Sequence, residues 1–307
     1  MKINLANIKK AKKILDNNDC VGIPTETVYG LAANAYSDRA VKKIFKLKNR
    51  PKKNPLIIHY LNKKDASQDV LFNDNFLKLY KKFCPGPITF VLKKNKISKI
   101  SSGATANLNT VAIRFPNHSV IKKVLKLTDF PLAMPSANLS SKLSPVYASD
   151  VFEDFKKKVK IIIDGGKSKF GIESTVIDLT SIPKILRPGA ISLNEIKNLI
   201  KIGKSEKKNG LKSPGMLRKH YSPGIPVILG KKPKKLNHAF IVFGRKYKNR
   251  SNYFNLSKKS NLKEAASNLY KIMRKIKKKG YKKIFVSKIP NTGLGVAIND
   301  RLNRASK

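Results

Sequence analysis

The residues of this chain with the clearest potential for chemistry are short polar groups that directly follow apolar runs. Pro24-Thr-Glu-Thr27 comes immediately after the apolar run 20–23. Two hydroxyls and a carboxylate at the end of a strand in an open α/β sheet can bind the ammonium or hydroxyl group of an amino acid. An ordinary turn, with Thr27 capping a following helix, explains the same residues and is the favoured interpretation when the group is considered alone.

Two further groups could hold phosphate. Lys48-Asn-Arg50 closes a predicted helix, where the two cations either offset the helix dipole or bind a polyphosphate. Ser136-Ala-Asn138 places a hydroxyl and an amide just beyond the apolar run 131–135, and a turn is again the plain alternative. His59, at the end of an apolar run, is of the type usually found as a hydrogen-bonded core or rim histidine.

Several classes of protein lose support because their motifs are absent from the sequence. There is no P-loop, no Gly-x-Gly-x-x-Gly fingerprint, no His-Glu-x-x-His and no Gly-x-Ser-x-Gly elbow. The two cysteines, Cys20 and Cys84, form no Cys-x-x-Cys, so we predict neither a zinc site nor a disulfide framework. No secretory signal and no apolar run of about 20 residues is present. We therefore predict a cytoplasmic protein without a metal held by its side chains and without a membrane partner.

The charge balance is unusual for an otherwise ordinary globular composition. The chain has 66 Lys+Arg against 18 Asp+Glu, a formal net charge of +48, and 41% hydrophobic residues over 307 positions. Such a charge attracts nucleic acids, nucleotides or anionic surfaces at low salt. A compositional bias spread over solvated faces explains it equally well. From residue 226 onward the sequence has 23 Lys+Arg and 2 Asp+Glu, so the charge is densest near the carboxyl end.

The hydrophobic pattern predicts alternating strands and helices around these polar groups. Strands are expected at residues 20–23, 56–60, 88–92, 111–115, 160–163, 175–179 and 184–186. Helices are expected at residues 7–17, 38–48, 75–83, 119–127, 148–157 and 193–200. In the second helix the buried stripe would comprise Val41, Ile44, Phe45 and the aliphatic stem of Lys48. This interleaving predicts an α/β fold.

Composition divides the chain into three segments. Residues 1–203 are predicted to form a large α/β domain, residues 204–225 a linker, and residues 226–307 a small basic α/β domain with strands at 227–229, 239–243 and 284–287. One helix face in the small domain is marked by Leu262, Ala266, Leu269, Met273 and Ile276. Ser213-Pro-Gly-Met216 and His220-Tyr-Ser-Pro223 add stiff turns and apolar anchors, so we predict that the linker docks as a lid.

Taken in order, the motifs resemble the YrdC-domain threonylcarbamoyl-AMP synthases in their two-domain form. The resemblance includes the family hallmark, Lys-x-Arg followed later by Ser-x-Asn, and covers nearly the whole chain. The motifs are Pro24-Thr-Glu-Thr-Val-Tyr-Gly-Leu31, Lys48-Asn-Arg-Pro51, Asn54-Pro-Leu56, His59, Pro85-Gly-Pro87, Thr110-Val-Ala-Ile-Arg114, Pro135-Ser-Ala-Asn138, Asp164-Gly-Gly166, Glu173-Ser-Thr175, Leu186-Arg-Pro-Gly189 and Gly293-Leu-Gly-Val-Ala-Ile298. The small domain departs from the family by being short and rich in lysine.

The resemblance implies a twisted, open mixed sheet with a concave basic cavity. It also implies synthesis of L-threonylcarbamoyladenylate from L-threonine, bicarbonate or CO₂, and ATP with Mg²⁺, releasing pyrophosphate. The product would serve N6-threonylcarbamoylation of adenosine 37 in tRNAs that read codons beginning with A. Implied partners beyond the substrates are tRNA and a downstream threonylcarbamoyl-transferase complex.

The resemblance also assigns roles to individual positions. The threonine site would comprise Thr27, His59, Arg114, Met134 and Ser174, with Arg114 pairing the carboxylate. The ATP site would comprise Lys48, Arg50, Asn54, Thr110, Ser136, Ser144, Arg187 and Tyr221. Lys48, Arg50, Ser136 and Asn138 would be catalytic.

Two alternatives stay open from the sequence. A basic RNA-binding protein could use the same cavity for double-stranded RNA without making an adenylate, although a reader of RNA shape does not need the cluster of Thr27, His59 and Arg114. The YrdC module of a hydrogenase-maturation carbamoyltransferase would need paired Cys-x-x-Cys zinc fingers, which this sequence lacks.

Overall fold

The structure, a computed structural model, describes residues 1, 3–203, 220–247 and 249–307. Most of the predicted linker, including Ser213-Pro-Gly-Met216, therefore lies outside the described residues, and the boundaries of the three predicted segments stay a prediction. In the first part of the chain the elements are α1 (Leu5–Asp16), β1 (Val21–Ile23), β2 (Gly30–Asn34), α2 (Asp38–Lys48), β3 (Ile57–His59), α3 (Lys63–Ala66), α4 (Asp74–Phe83), β4 (Ile88–Lys93), β5 (Thr110–Arg114), α5 (Ser119–Leu127), β6 (Leu132–Ala133), α6 (Ala148–Phe155), β7 (Ile161–Ile162), β8 (Thr175–Asp178), β9 (Lys184–Arg187) and α7 (Leu193–Lys197). The remaining elements are β10 (Val227–Leu229), β11 (His238–Val242), β12 (Tyr253–Asn255), α8 (Leu262–Lys278), β13 (Lys283–Val286) and α9 (Leu294–Ala305).

A nine-stranded mixed sheet forms the large α/β unit. Its strand order is β7-β1-β2-β6-β3-β5-β4-β8-β9, with parallel pairs β1/β7, β3/β5 and β4/β8 and antiparallel pairs elsewhere. One apolar cluster includes buried residues of α2, α4 and α6, and another includes buried residues of α1 and α5. The prediction of a mixed α/β fold is confirmed.

Helix α2 shows how local sequence places a site residue. The Ser37 side chain accepts a hydrogen bond from the backbone N–H of Ala40 and caps the amino end. The buried face is the predicted stripe, and Lys48 is buried with it. At the carboxyl end, Asn49 takes a left-handed conformation with φ of 48°, which ends the helix and turns the chain into Arg50 and Pro51.

A second sheet, of four parallel strands in the order β10-β13-β11-β12, forms the small α/β unit. Helix α8 buries Ala266, Leu269, Met273 and Ile276, as the helix-face pattern predicts. Among the residues that the structure describes, no helix has both the length and the apolar character needed to span a membrane.

The structure corrects the sequence prediction in two places. Thr27 does not cap a helix, because the chain after it continues into strand β2. Strands β2 and β12 and helices α3 and α9 were also not predicted. Strand β2 has the sequence GLAAN, without a β-branched or aromatic residue, and β12 has only three residues. Helix α3 has only four residues, too few to show a helical period, and α9 begins within a glycine-containing turn without a side-chain cap.

Candidate active site

The loop between β1 and β2 holds the first functional group. The Thr25 hydroxyl lies 2.9 Å from the Thr27 hydroxyl and donates to the Val28 carbonyl at 2.7 Å. Glu26 accepts a hydrogen bond from Arg114 at 2.6 Å and a second from the backbone N–H of Asn117 at 3.1 Å. The carboxylate of this motif therefore orients Arg114, and the buried Thr27 hydroxyl is held beside it.

Strand pairing brings His59 and Arg114 together. Strands β3 and β5 are parallel neighbours, and His59 is in register with Arg114 at their carboxyl ends. Burial and the nearby Arg114 charge lower the pKa of His59 well below its usual range, so the imidazole is neutral. Arg114 has a buried Nε without a hydrogen-bond partner among the described residues. This nitrogen is a donor that a bound acceptor can satisfy.

One cavity, with about 530 Å³ of empty space including its open mouth, brings most of the predicted site together. Its lining includes all five predicted threonine-site residues: Thr27, His59, Arg114, Met134 and Ser174. It also includes four of the predicted ATP-site residues: Arg50, Ser136, Arg187 and Tyr221. Three arginines and one glutamate, Glu173, are the lining residues with formal charges. Lys48, Asn54, Thr110, Asn138 and Ser144 are not part of this lining.

Gly30 sets the width of the cavity at its wall. A Cβ atom at this position would lie 2.4 Å from Cγ of Met134 and 2.5 Å from its sulfur. Any larger residue at this position would therefore force the Met134 side chain to shift.

Lys48 and Asn138 form the frame behind the cavity. The Lys48 ammonium donates to the carbonyl oxygen of Ser136 at 2.5 Å and to that of Asn138. The Ser136 hydroxyl donates to Oδ1 of Asn138 at 2.5 Å. Burial and the charge of Arg50 lower the pKa of Lys48 well below its usual value. The two halves of the hallmark motif are thus joined directly, with the ammonium on backbone oxygens.

Arg50 and Arg187 are two buried cations, and the charge of Arg187 acts on Arg50. Arg50 donates to the carbonyl oxygens of Asn54 at 2.9 Å and Pro55 at 2.8 Å. Burial and the Arg187 charge lower the pKa of Arg50 to about 9, and burial lowers the pKa of Arg187 as well. An anion bound between them would relieve this repulsion.

Three residues predicted for the ATP site have other surroundings. Asn54 is fully buried, and neither side-chain amide atom has a hydrogen-bond partner among the described residues. Ser144 donates to the carboxylate of Glu173. Thr110 begins strand β5, whose other end is Arg114, so the two are separated by about 13 Å at the usual rise per residue.

His220 and Tyr221, from the predicted lid, also line the cavity, and with Ser222 we call them the lid segment. The Ser222 N–H donates to the Ser141 carbonyl at 2.8 Å, and the buried Tyr221 has φ of 61°. The His220 Nδ1 accepts from the Tyr221 N–H at 2.9 Å. Burial lowers the pKa of His220 to about 3, aided by the charges of Arg50, Lys48 and Arg187 and opposed by Glu173. His220 is therefore neutral, with its proton on Nε2.

Sequence reasoning assigned no role to Glu173 or His220, although both line the cavity. Each stands next to an assigned residue, Ser174 and Tyr221, inside a motif that was recognised. Their position beside assigned residues was the sequence feature that could have marked Glu173 and His220 as site residues.

A wide mixed sheet with a buried, arginine-lined cavity is the architecture of a small-molecule-binding α/β protein. A family model described as telomere recombination, covering the Sua5, YciO and YrdC proteins, matches residues 13–189. A second model, described as the threonylcarbamoyl-AMP synthase C-terminal domain, matches residues 191–307. The chain belongs to the Sua5, YciO and YrdC family, and the family predicted from the motifs is confirmed.

Individual relatives are similar over nearly the whole chain. The threonylcarbamoyl-AMP synthase of Pyrococcus abyssi is 38% identical over 97% of this chain and 94% of its own length. That of Bacillus subtilis is 35% identical over 99% of this chain and 94% of its own length. The crystal structure of P. abyssi Sua5 complexed with L-threonine aligns with a TM-score of 0.89, at 37% identity, over 100% of this chain and 96% of that chain. The structure of Escherichia coli YciO shares the fold at 22% identity, with a TM-score of 0.53 over 59% of this chain and 88% of that chain.

Proposed function

We propose that this protein synthesises L-threonylcarbamoyladenylate from L-threonine, bicarbonate or CO₂, and ATP, and releases pyrophosphate. The names of the relatives in Pyrococcus and Bacillus support this reaction. The product would supply N6-threonylcarbamoyladenosine at position 37 of tRNAs that read codons beginning with A. The alternative, RNA binding without adenylate synthesis, is not favoured, because the long matches are to synthases.

The threonine end of the cavity would be formed by Thr27, His59, Arg114, Met134 and Ser174. Glu26 holds one Arg114 nitrogen, and the unpartnered Nε gives the substrate carboxylate a charged donor. Neutral His59 and the hydroxyls of Thr27 and Ser174 offer polar contacts without adding charge. The crystal structure of the Pyrococcus relative with L-threonine supports an amino-acid substrate for this chain.

The phosphate end would be formed by Arg50 and Arg187, with Ser136 beside them. Their mutual repulsion in a buried site favours a polyanion between them. We further propose that Lys48 and Asn138 position the turn that carries Ser136, and that Asn54, Thr110, Ser144 and Tyr221 complete the nucleotide site. The orphaned amide of Asn54 supports a ligand at that position.

The reaction needs positioning and neutralisation of charge more than proton transfer. Bicarbonate and the threonine amine lose water and form a carbamate, whose oxygen attacks the α-phosphorus of ATP. A new P–O bond forms as the bond to pyrophosphate breaks, and the electron pair leaves with the pyrophosphate. Arg50 and Arg187 would stabilise the negative charge on the phosphates, and the cavity would hold the two anions in line.

Mg²⁺ belongs to this proposal as part of the ATP substrate. Within the described parts of the chain, no group of three or more His, Cys, Asp or Glu side chains could hold a metal ion. The ion would enter on the ATP phosphates. We also propose a cytoplasmic location, which the two unpaired cysteines support, and transfer of the product to tRNA by a partner enzyme complex.

The observation that carries the proposal is that the proposed threonine-site residues, Arg50 and Arg187 line one cavity together with His220 and Tyr221 of the lid segment. The test is mass spectrometry of the nucleotide that the purified protein forms from ATP, threonine and bicarbonate without RNA. We expect threonylcarbamoyladenylate and one equivalent of pyrophosphate. Tight, salt-sensitive binding of RNA with no adenylate formed would support the alternative instead.

A further inference from the structure

A buried ion pair joins the cavity to the last helix of the chain. Nε of Arg301, in α9, donates to Oε2 of Glu173 at 2.8 Å. The Tyr270 hydroxyl, in α8, lies 3.1 Å from both carboxylate oxygens. Ser144 supplies a further donor from the large unit. Glu173 lines the cavity, whereas Arg301 and Tyr270 do not, so the small unit holds a cavity residue from behind.

The pair keeps a buried carboxylate charged. Burial by itself raises the pKa of Glu173, but the charges of Arg301 and Arg187 and the hydrogen bonds from Ser144 and Arg301 lower it to about 2. Glu173 is 6% exposed and Arg301 is 1% exposed, so water cannot replace either partner. A carboxylate at this depth is strongly destabilised when its cation is removed.

Arg301 also contacts two other segments of the site. Its Nη1 donates to the Pro188 carbonyl at 2.9 Å, and its guanidinium carbon lies 5.0 Å from the centre of the Tyr221 ring. Pro188 follows Arg187, whose Nη2 donates to the Ser174 carbonyl at 2.9 Å and to the Ser174 hydroxyl at 3.1 Å.

We propose that Arg301 is a positioning residue of the active site. Through Glu173 and Pro188 it fixes Ser174 and Arg187, and through Tyr221 it fixes the lid segment. The small unit is then a structural part of the small-molecule site. This role depends on Arg301 and not on the high positive charge of the unit. This inference rests on the proposed function.

The test compares variants of the full-length chain in the threonine-dependent synthesis of the adenylate. Arg301→Met should raise the threonine KM at least about tenfold and lower kcat, because Ser174, Arg187 and the lid segment lose their support. Arg301→Lys should recover part of the loss, since it keeps the charge but not the fork of donors. Adding Glu173→Gln to Arg301→Met should recover Tm, because it removes the unpaired buried charge, but it should not restore the threonine KM, because Pro188 and Tyr221 still lack their partner.

Arg274→Met is the matched control. Arg274 also joins the two units, but its hydrogen bonds go to Asp154 at 3.1 Å and to the Leu143 carbonyl at 2.8 Å and not to Glu173. Its loss should lower Tm but leave the threonine KM and kcat within about twofold. Hydrogen exchange at the amides of residues 173–175, 187 and 220–222 gives a readout that needs no activity, and it should rise in Arg301→Met but not in the control.

Failure of the proposed function and failure of the proposed role of Arg301 give different results. If the wild-type chain forms no threonine-dependent adenylate, the proposed function is wrong, while the exchange data still decide whether Arg301 orders these segments. If the wild-type chain is active, kinetics and exchange in Arg301→Met that match wild type would overturn the inference. The same threonine KM and kcat changes in Arg274→Met would overturn it too, since the effect would then come from loosened packing between the units.

Discussion

Replacing Arg50 with alanine should remove most of the activity while the large sheet stays folded. Arg50 is a buried cation beside Arg187, held in place by the carbonyl oxygens of Asn54 and Pro55. A hydrogen bond from a charged group contributes about 1.5–3 kcal/mol. We take the upper end of this range for Arg50, because it is a buried cation that we propose contacts a polyphosphate. A free energy of about 2.7 kcal/mol corresponds to a hundredfold loss of rate.

The assay is pyrophosphate release at varied ATP, with Tm measured in parallel to separate activity from stability. We expect at least about a hundredfold drop in kcat/KM for ATP in Arg50→Ala. Lys46→Ala is the matched control, because Lys46 lies exposed on helix α2, which ends just before Arg50, and it should stay within about twofold of wild type. Near-normal turnover by a folded Arg50→Ala would refute the assignment of Arg50 to the phosphates.

Three further predictions concern the substrate carboxylate, the lid segment and pH. Arg114→Ala should raise the threonine KM before it lowers kcat, because pairing with a carboxylate is mostly a ground-state contact; an unchanged threonine KM would contradict this. Tyr221→Ala, or ending the chain after Gly203, should weaken ATP retention and let more intermediate hydrolyse, measured as AMP formed per adenylate; equal nucleotide affinity and equal intermediate lifetime in both chains would show that the linker only joins domains. Because His59 and His220 have lowered pKa values, the unfolded chain binds their protons first as pH falls below about 6.5, so the free energy of unfolding should drop between pH 6.5 and pH 5, by about 1.7 kcal/mol for His220. An equal free energy of unfolding at both pH values, measured by urea denaturation, would contradict the lowered pKa values.

Elements with a strong local signal were predictable from the sequence. Helix α2 has a capping serine, a regular apolar face and a proline just beyond its end, and the structure reproduces its predicted limits. Strand β12 and helix α9 lack such signals, since the strand is three residues long and the helix begins at a glycine-containing turn. Their stability comes from packing against β11 and α8, which local pattern does not reveal.

The site was predictable to the extent that its motifs resemble those of a known family. Thr27 and Ser136 were otherwise consistent with plain turns, and only the fold brings them to one cavity. The ammonium of Lys48 was predicted to offset the helix dipole or to bind a polyphosphate, with its aliphatic stem buried, whereas the structure buries the ammonium on two carbonyl oxygens. The pairing of Glu173 with Arg301 joins positions 128 residues apart, a relation that no local pattern contains.

The most direct test of the central claim follows a carbon label from bicarbonate into the nucleotide product. The purified chain is incubated with ATP, L-threonine and ¹³C-bicarbonate, and the products are resolved by mass spectrometry with pyrophosphate measured alongside. The account predicts a threonylcarbamoyladenylate that carries the label, absent when threonine is omitted, and formed in step with pyrophosphate. Pyrophosphate release that ignores threonine, or a product without the labelled carbon, would contradict it.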